Sequence, residues 1–219
     1  MIDQSKIKAV IFDMDGLLVN SEPCWHIAEK KIFGELGVEL STENCLETTG
    51  VPIKDVIQHW YKKHPWVNPD FETLERDLLN GAKEAIEEHA DLMPGVLETV
   101  SWAKHNNYKI GLASASPMDM IEMVLRKFNL LTDFDTFHSA ELERFNKPDP
   151  AVYLTVAKRL EVKIEQCLIL EDSGGGVKGA VASGAQVIAV PSPHEFNEAK
   201  FNIASAKISS LNNLKEAIK

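Results

Sequence analysis

Apolar residues along the chain follow two kinds of spacing. Residues 7 to 12, IKAVIF, form a short continuous apolar run rich in β-branched side chains, closed by Asp13-Met-Asp-Gly16. A run of this length bounded by a turn predicts a buried strand. From residue 22 to about 89 the spacing becomes helical. Four helices are expected, over 22–36, 41–48, 52–63 and 70–90, with no strand among them. The last places Phe71, Leu74, Leu78, Ala82, Ala85 and Ile86 along one stripe. Glu22-Pro23 opens the first, with proline in a turn where its missing N–H costs nothing.

From Pro94 onward helices and strands alternate. Helices over 94–106, 117–128, 149–160 and 173–183 precede strands over 108–113, 135–138, 167–171 and 186–190, and a last short strand and helix follow from 207. The strand over 135–138 is the weakest of these. Near-continuous apolar strands alternating with helices predict a parallel sheet covered on both faces. The expected fold class is therefore α/β, with a Rossmann-like parallel sheet core. That core is discontinuous, over 1–17 and 90–219, with an all-helical domain inserted over 18–89. A length of 219 residues suits a core plus a small insert.

Composition narrows the function classes. Hydrophobic residues make up 44% and charged residues 26%, too apolar for a disordered chain. The formal net charge of −10 repels nucleic-acid phosphates over most of the surface, so no nucleic-acid partner is expected. An anionic small substrate stays possible if positive charge is supplied locally. Cys24, Cys45 and Cys167 form no C-x-x-C pair, which fits a reducing compartment with Cys167 as a core residue. No signal-peptide-like block and no membrane-length apolar stretch is present. A cytoplasmic monomer with no membrane partner is expected.

Ligands of open parallel sheets bind at the carboxyl ends of the strands. Asp13 and Asp15 follow the first expected strand, Ser114-Ala115-Ser116 the second, Lys147-Pro148 the third, and Glu171-Asp172-Ser173 the fourth. Each piece alone has a bland reading. Asp-Gly is a common turn, the serines before Pro117 and the run before residue 174 could cap helices, and a loop lysine is usually a solvated charge. Their shared rim is what points to a site.

The chemistry that this set suits is phosphoryl transfer through an aspartyl phosphate. Asp13 and Asp172 could hold Mg²⁺, which offsets the repulsion between a carboxylate nucleophile and an anionic phosphate ester. Asp13 would attack phosphorus. Asp15, two residues on and facing the same side if the strand geometry persists, would protonate the leaving alkoxide and then activate water. Lys147 would offset negative charge, and the Ser114 hydroxyl with the amides of Ala115 and Ser116 would bind phosphate oxygens. On this role, Lys147→Ala should harm turnover far more than stability.

The four segments together resemble the haloacid dehalogenase superfamily, phosphatase branch, over essentially the full length. The residues that carry the likeness are Asp13-Met-Asp-Gly16, Ser114, Lys147-Pro-Asp-Pro150 and Glu171-Asp-Ser-x-x-Gly176. The resemblance implies the roles just given, Mg²⁺ on Asp13, Asp172 and the Asp15 main-chain carbonyl, with Glu171 either a ligand or in the layer behind. It also implies that the helical insert is a cap closing over a small phosphorylated metabolite. Phe12-Asp-Met-Asp-Gly-Leu-Leu18, Ser21-Glu-Pro-x-Trp25, Leu112-Ala-Ser-Ala-Ser-Pro117 and Pro65-Trp66 are similar to bacterial 2-deoxyglucose-6-phosphate and hexitol phosphatases. A sugar or sugar-alcohol phosphate is the substrate class this implies. The related β-phosphoglucomutases carry a cap His and a cap Arg where this chain has Trp25 and Ile53, which argues against a mutase.

Gly174-x-Gly176-x-x-Gly179 has the letter of a dinucleotide fingerprint, but Glu171 and Asp172 would face and repel a pyrophosphate there. These glycines are expected to serve close backbone approach. Trp60 and Trp66 are expected in the packing of the insert, and Trp25, near its start, as a substrate contact. The histidines show no metal-like spacing and are expected at the surface or as caps.

Overall fold

The computed structural model describes residues 2–218. Contacts divide the chain into two compact units, Met1–Asn20 with Leu92–Lys219, and Ser21–Asp91.

The first unit is built on a six-stranded, all-parallel sheet. Its strands are β1 (Ala9–Phe12), β2 (Lys109–Ser114), β3 (Thr136–Ser139), β4 (Cys167–Glu171), β5 (Gln186–Ala189) and β6 (Ala206–Lys207), in the order β3-β2-β1-β4-β5-β6. Helices α5 (Val96–His105), α6 (Met118–Lys127), α7 (Ala151–Arg159) and α8 (Gly174–Ser183) lie between strands, and α9 (Leu214–Ala217) follows the last. The central strands read as continuous apolar runs because both faces are covered; every residue of β1 and β4 is buried. One core layer joins Ala9, Ile11, Cys167, Ile169, Val187 and Ala189 of the sheet to Val152, Val156, Val177 and Ala180 of α7 and α8. Helix and sheet approach closely at Gly111 of β2, where a Cβ would lie 2.5 Å from Val156 Cγ1.

The chain reverses its direction of growth across the sheet between β1 and β4. That switch point is where parallel sheets open a crevice at their carboxyl ends. Phe12 is level with Leu112 on one side and Leu170 on the other. Asp13, Ala113 and Glu171 consequently come level at the same rim.

The second unit holds α1 (Glu22–Glu35), α2 (Thr42–Leu46), α3 (Ile53–Lys63) and α4 (Phe71–His89). The stripe read from the sequence is the buried face of α4: Leu74, Leu78, Ala82, Ala85 and Ile86. Asp70 caps the helix, accepting from the Thr73 N–H at 3.1 Å. Gly81 lets α4 cross close to α1, since its Cβ would sit 3.3 Å from that of Ala28. Trp60 is buried with Phe33, Leu40 and Leu74, and Trp66 packs at the edge of that cluster.

The unit boundaries fall at 20/21 and 91/92, two or three residues from those expected at 17/18 and 89/90. The reason is a small pairing outside the main sheet. Val19 bridges Asp15 and Leu92, and the Leu18 carbonyl accepts from the Met93 N–H. Leu17, Leu18 and Val19 are buried, so both connecting segments belong to the sheet unit.

Candidate active site

β1 ends at Phe12, yet its ladder continues one step: the Asp13 N–H donates to the Leu170 carbonyl at 3.0 Å. This fixes the Asp13 backbone against β4 and buries its side chain at the rim. Lys147, from the loop after β3, reaches back across the strand ends. Its ammonium donates to Asp13 Oδ1 at 2.5 Å, Glu171 Oε1 at 2.6 Å and the Ala113 carbonyl at 3.0 Å. Glu171 is fully buried, and its Oε1 also accepts from the Tyr153 hydroxyl at 2.6 Å. The Lys147 ammonium lies 5.1 Å from the Tyr153 ring centre.

Asp172 completes the group. Carboxylate oxygens of Asp13, Glu171 and Asp172 lie within 4.8 Å of one another. Gly16 makes room for this: it adopts φ +78°, and a Cβ there would fall 2.1 Å from Asp172 Oδ2. Three carboxylates thus face one ammonium. Burial, then the charge of Glu171, pushes the Asp13 carboxyl up to about 8 despite Lys147. Burial, then Asp13, pushes Asp172 well above the usual aspartate range. A cluster of oxygen donors with surplus negative charge is what a hard divalent cation fits.

Asp15 sits in different surroundings. Its Oδ2 accepts from the Ser116 hydroxyl at 2.6 Å and from the Ser114 hydroxyl at 3.4 Å, and the Ser116 N–H donates to Ser114 Oγ at 3.0 Å. Its Oδ1 is buried without a partner. The two serines therefore do not cap α6. That helix follows Pro117 with no side-chain cap, and Glu141 Oε1 accepts from the Met118 N–H instead, at 2.7 Å. Ser173 does cap α8, its Oγ accepting from the Gly176 N–H at 3.0 Å. Ala115 is exposed between the two serines.

The glycines of the fingerprint-like run are used for packing. A Cβ on Gly176 would lie 2.1 Å from the Glu171 carboxylate, one on Gly179 3.0 Å from the Pro148 carbonyl, and one on Gly174 2.6 Å from Lys200. Gly176 thus lets α8 close on Glu171.

Tyr153 escapes a reading by strand ends because it lies on α7, among buried Val152, Val156 and Ala157. The signal for it was a phenol on an otherwise apolar helix face. His138 also departs from expectation: it is buried in β3, with Nε2 2.8 Å from Glu143 Oε1. The second half of this edge strand, His138 and Ser139, is buried. Trp25 belongs to the helical unit, half-buried in the first turns of α1.

The profile of the haloacid dehalogenase-like hydrolases matches residues 10–190. The chain is 41% identical over 210 residues to hexitol phosphatase B of Escherichia coli strain K12, covering 95% of both proteins. The chain belongs to the haloacid dehalogenase-like hydrolases. It is also 28% identical to the phosphorylated carbohydrates phosphatase of Thermotoga maritima, over 89% of each chain. Among solved structures, CbbY from Rhodobacter sphaeroides in complex with phosphate superposes with a TM-score of 0.83 at 23% identity, covering 95% of this chain and 96% of that one. That last likeness establishes the shared fold. The expected family and the expected α/β parallel-sheet class both hold for this hydrolase. No helix among the described residues is long and apolar enough to cross a membrane.

Proposed function

We propose that this hydrolase is a phosphatase for small phosphorylated metabolites, with sugar-alcohol and sugar phosphates as the substrate class. The observation that carries the reading is Asp13: a buried carboxylate at a strand end, contacted by Lys147 and adjoining Asp172. The names of the two phosphatase relatives support the substrate class.

In this reading an Asp13 carboxylate oxygen attacks phosphorus and the bond from phosphorus to the ester oxygen breaks. Asp15 gives its proton to the departing alkoxide. It then takes a proton from water, whose oxygen attacks the acyl phosphate, releasing inorganic phosphate and the free Asp13 carboxylate. Lys147 lowers the repulsion between Asp13 and the incoming phosphate. The Ser114 hydroxyl and the amides of Ala115 and Ser116 bind phosphate oxygens. Asp13, Asp172 and the Asp15 carbonyl would hold Mg²⁺, with Glu171 at or behind that position. When bound, the ion supplies charge neutralisation at the transferring phosphoryl group. The helical unit acts as the cap, and Trp25 contacts the sugar moiety. No disulfide joins the three cysteines, which fits a cytoplasmic enzyme, and we take it to work as a monomer.

The test is phosphate release from a panel of hexitol and hexose phosphates, with Mg²⁺ and with chelator, for the wild type and Asp13→Asn. Release should require Mg²⁺ and fall at least about a thousandfold in the variant. An active Asp13→Asn protein, or a wild type inert to the whole panel, overturns the proposal.

A further inference from the structure

Ser139 ends β3 and carries none of the roles assigned above. It is fully buried and sits in register with Ser114 on the neighbouring strand. Its hydroxyl donates to the Ser116 carbonyl at 2.6 Å and accepts from the Glu141 N–H at 3.1 Å. Glu141 in turn accepts from the Met118 N–H at 2.7 Å. The end of β3 therefore pins the loop between β2 and α6 at two points, the Ser116 carbonyl and the first N–H of the helix.

That loop is what orients Asp15. The hydroxyls of Ser114 and Ser116 both approach Asp15 Oδ2, and neither approaches Oδ1, which is buried and unpartnered. Two O–H groups on one oxygen fix the orientation of the Asp15 carboxyl and leave Oδ1 as the oxygen that the loop does not hold. The arrangement holds only while Ser116 keeps its place. A 2.6 Å contact from a fully buried hydroxyl is the strongest tie on its main chain outside the loop itself.

We infer that Ser139 is a positioning residue for proton transfer. By fixing the Ser116 carbonyl, it fixes the hydroxyl that orients the Asp15 carboxyl and aims the transferable proton at the leaving oxygen. The inference rests on Asp15 being the acid and base, as proposed above. It differs from a plain structural role in one respect. A structural defect harms all substrates alike, whereas a misaimed acid harms only those whose leaving group needs a proton.

The experiment compares kcat/KM for a hexitol phosphate, whose alkoxide must be protonated, with that for p-nitrophenyl phosphate, whose phenolate leaves unaided. kcat/KM reports the steps up to departure of the alcohol, so the later hydrolysis of the acyl phosphate does not enter. Asp15→Asn sets the reference and should lose activity selectively on the hexitol ester. Ser139→Ala should lose roughly tenfold on the hexitol ester and less than about threefold on the aryl ester, a fraction of what a whole general acid supplies. Ser139→Thr, which keeps the hydroxyl, should recover most of the loss. Ser139→Cys, nearly isosteric with a weak donor, should show the same selectivity and serves if the alanine variant does not fold. Equal losses on both esters in the Ser139 variants, or threonine no better than alanine, overturn the positioning role while Asp15→Asn keeps its selectivity. If Asp15→Asn shows no selectivity, the acid–base reading of Asp15 falls and this inference falls with it.

Discussion

Lys147 Nζ lies 2.6 Å from Glu171 Oε1, a contact sealed beneath the strand ends where Glu171 has no exposed surface. Burial works against the ammonium charge, but Asp13 and Glu171 outweigh it and hold Lys147 well above the usual lysine range. The lysine is thus a permanent cation bonded to three oxygens, which changes the expectation that its loss would spare stability.

Lys147→Ala should lower kcat by about 10²–10³, the usual scale for removing one preorganised electrostatic partner. It should also destabilise the metal-free protein at pH 8 by about 3–5 kcal/mol, because Asp13 and Glu171 would lose their buried counter-charge. The deficit should be larger at about pH 9.5 than at pH 8, because ionised Asp13 gains from Lys147 only in the wild type. Thermal melts at the two pH values check this. A deficit that does not change with pH would mean that the lost contacts are packing rather than charge.

The metal-free wild type should itself become less stable as pH rises. Asp13 is held near 8 in the fold against an ordinary value of 3.8. Between those two values the folded state keeps a proton that the unfolded chain has released. Stability therefore falls from about pH 4 to about pH 8 and levels off above. If the deprotonated cluster of the folded state holds Mg²⁺ as proposed, millimolar Mg²⁺ should raise Tm more at pH 8 than at pH 5.5. Calorimetry with Mg²⁺ and with chelator measures both slopes. A larger Mg²⁺ effect at the lower pH would contradict the assignment.

The strand ends were legible in the sequence because apolar runs such as IKAVIF and CLILE mark buried parallel strands, and the residue after each run must lie at the rim. That logic alone brings Asp13, Ser114 and Glu171 to one edge. The cap-like unit was legible from the change of period. What could not be read is contact between elements far apart in the chain. Tyr153 on Glu171, Ser139 on Ser116 and Glu141 on the start of α6 depend on how helices and loops pack on the sheet, and periodicity carries no such distance. The serines before Pro117 show the ambiguity best. Position allowed helix capping and phosphate binding alike, and only the fold shows both hydroxyls on Asp15.

Adjacent glycines at the start of α8 should behave in opposite ways. A Cβ on Gly175 would meet no atom within 4 Å, so Gly175→Ala should stabilise the protein by about 0.5–1 kcal/mol through helix propensity. A Cβ on Gly176 would overlap a carboxylate that Lys147 and Tyr153 hold in place. Gly176→Ala should cost about 2 kcal/mol or more and lower kcat roughly tenfold by displacing Glu171. Neither variant should change the fluorescence of added NADH. Chemical denaturation and a phosphatase assay on the pair decide the point; similar behaviour of the two variants would refute the close approach at Gly176.

The helical unit holds a buried acid of its own. Glu29 on α1 is 7% exposed, is hydrogen-bonded with the Cys45 thiol, and keeps Oε2 buried without a partner. Burial pushes its carboxyl up to about 7 from an ordinary 4.5, and burial together with the Glu29 charge pushes the Cys45 thiol up to about 12. The folded state therefore holds a proton on Glu29 that the unfolded chain releases from about pH 4.5 upward, and stability falls with rising pH until about pH 7. Glu29→Gln keeps the shape and removes the charge. At pH 8 it should stabilise the protein by about 1–3 kcal/mol, and near pH 5 it should leave stability almost unchanged, since wild-type Glu29 is then neutral. Melting curves of both proteins across pH 5–8 test this. A glutamine variant less stable than wild type at pH 8 would show that the Glu29 charge is compensated inside the unit.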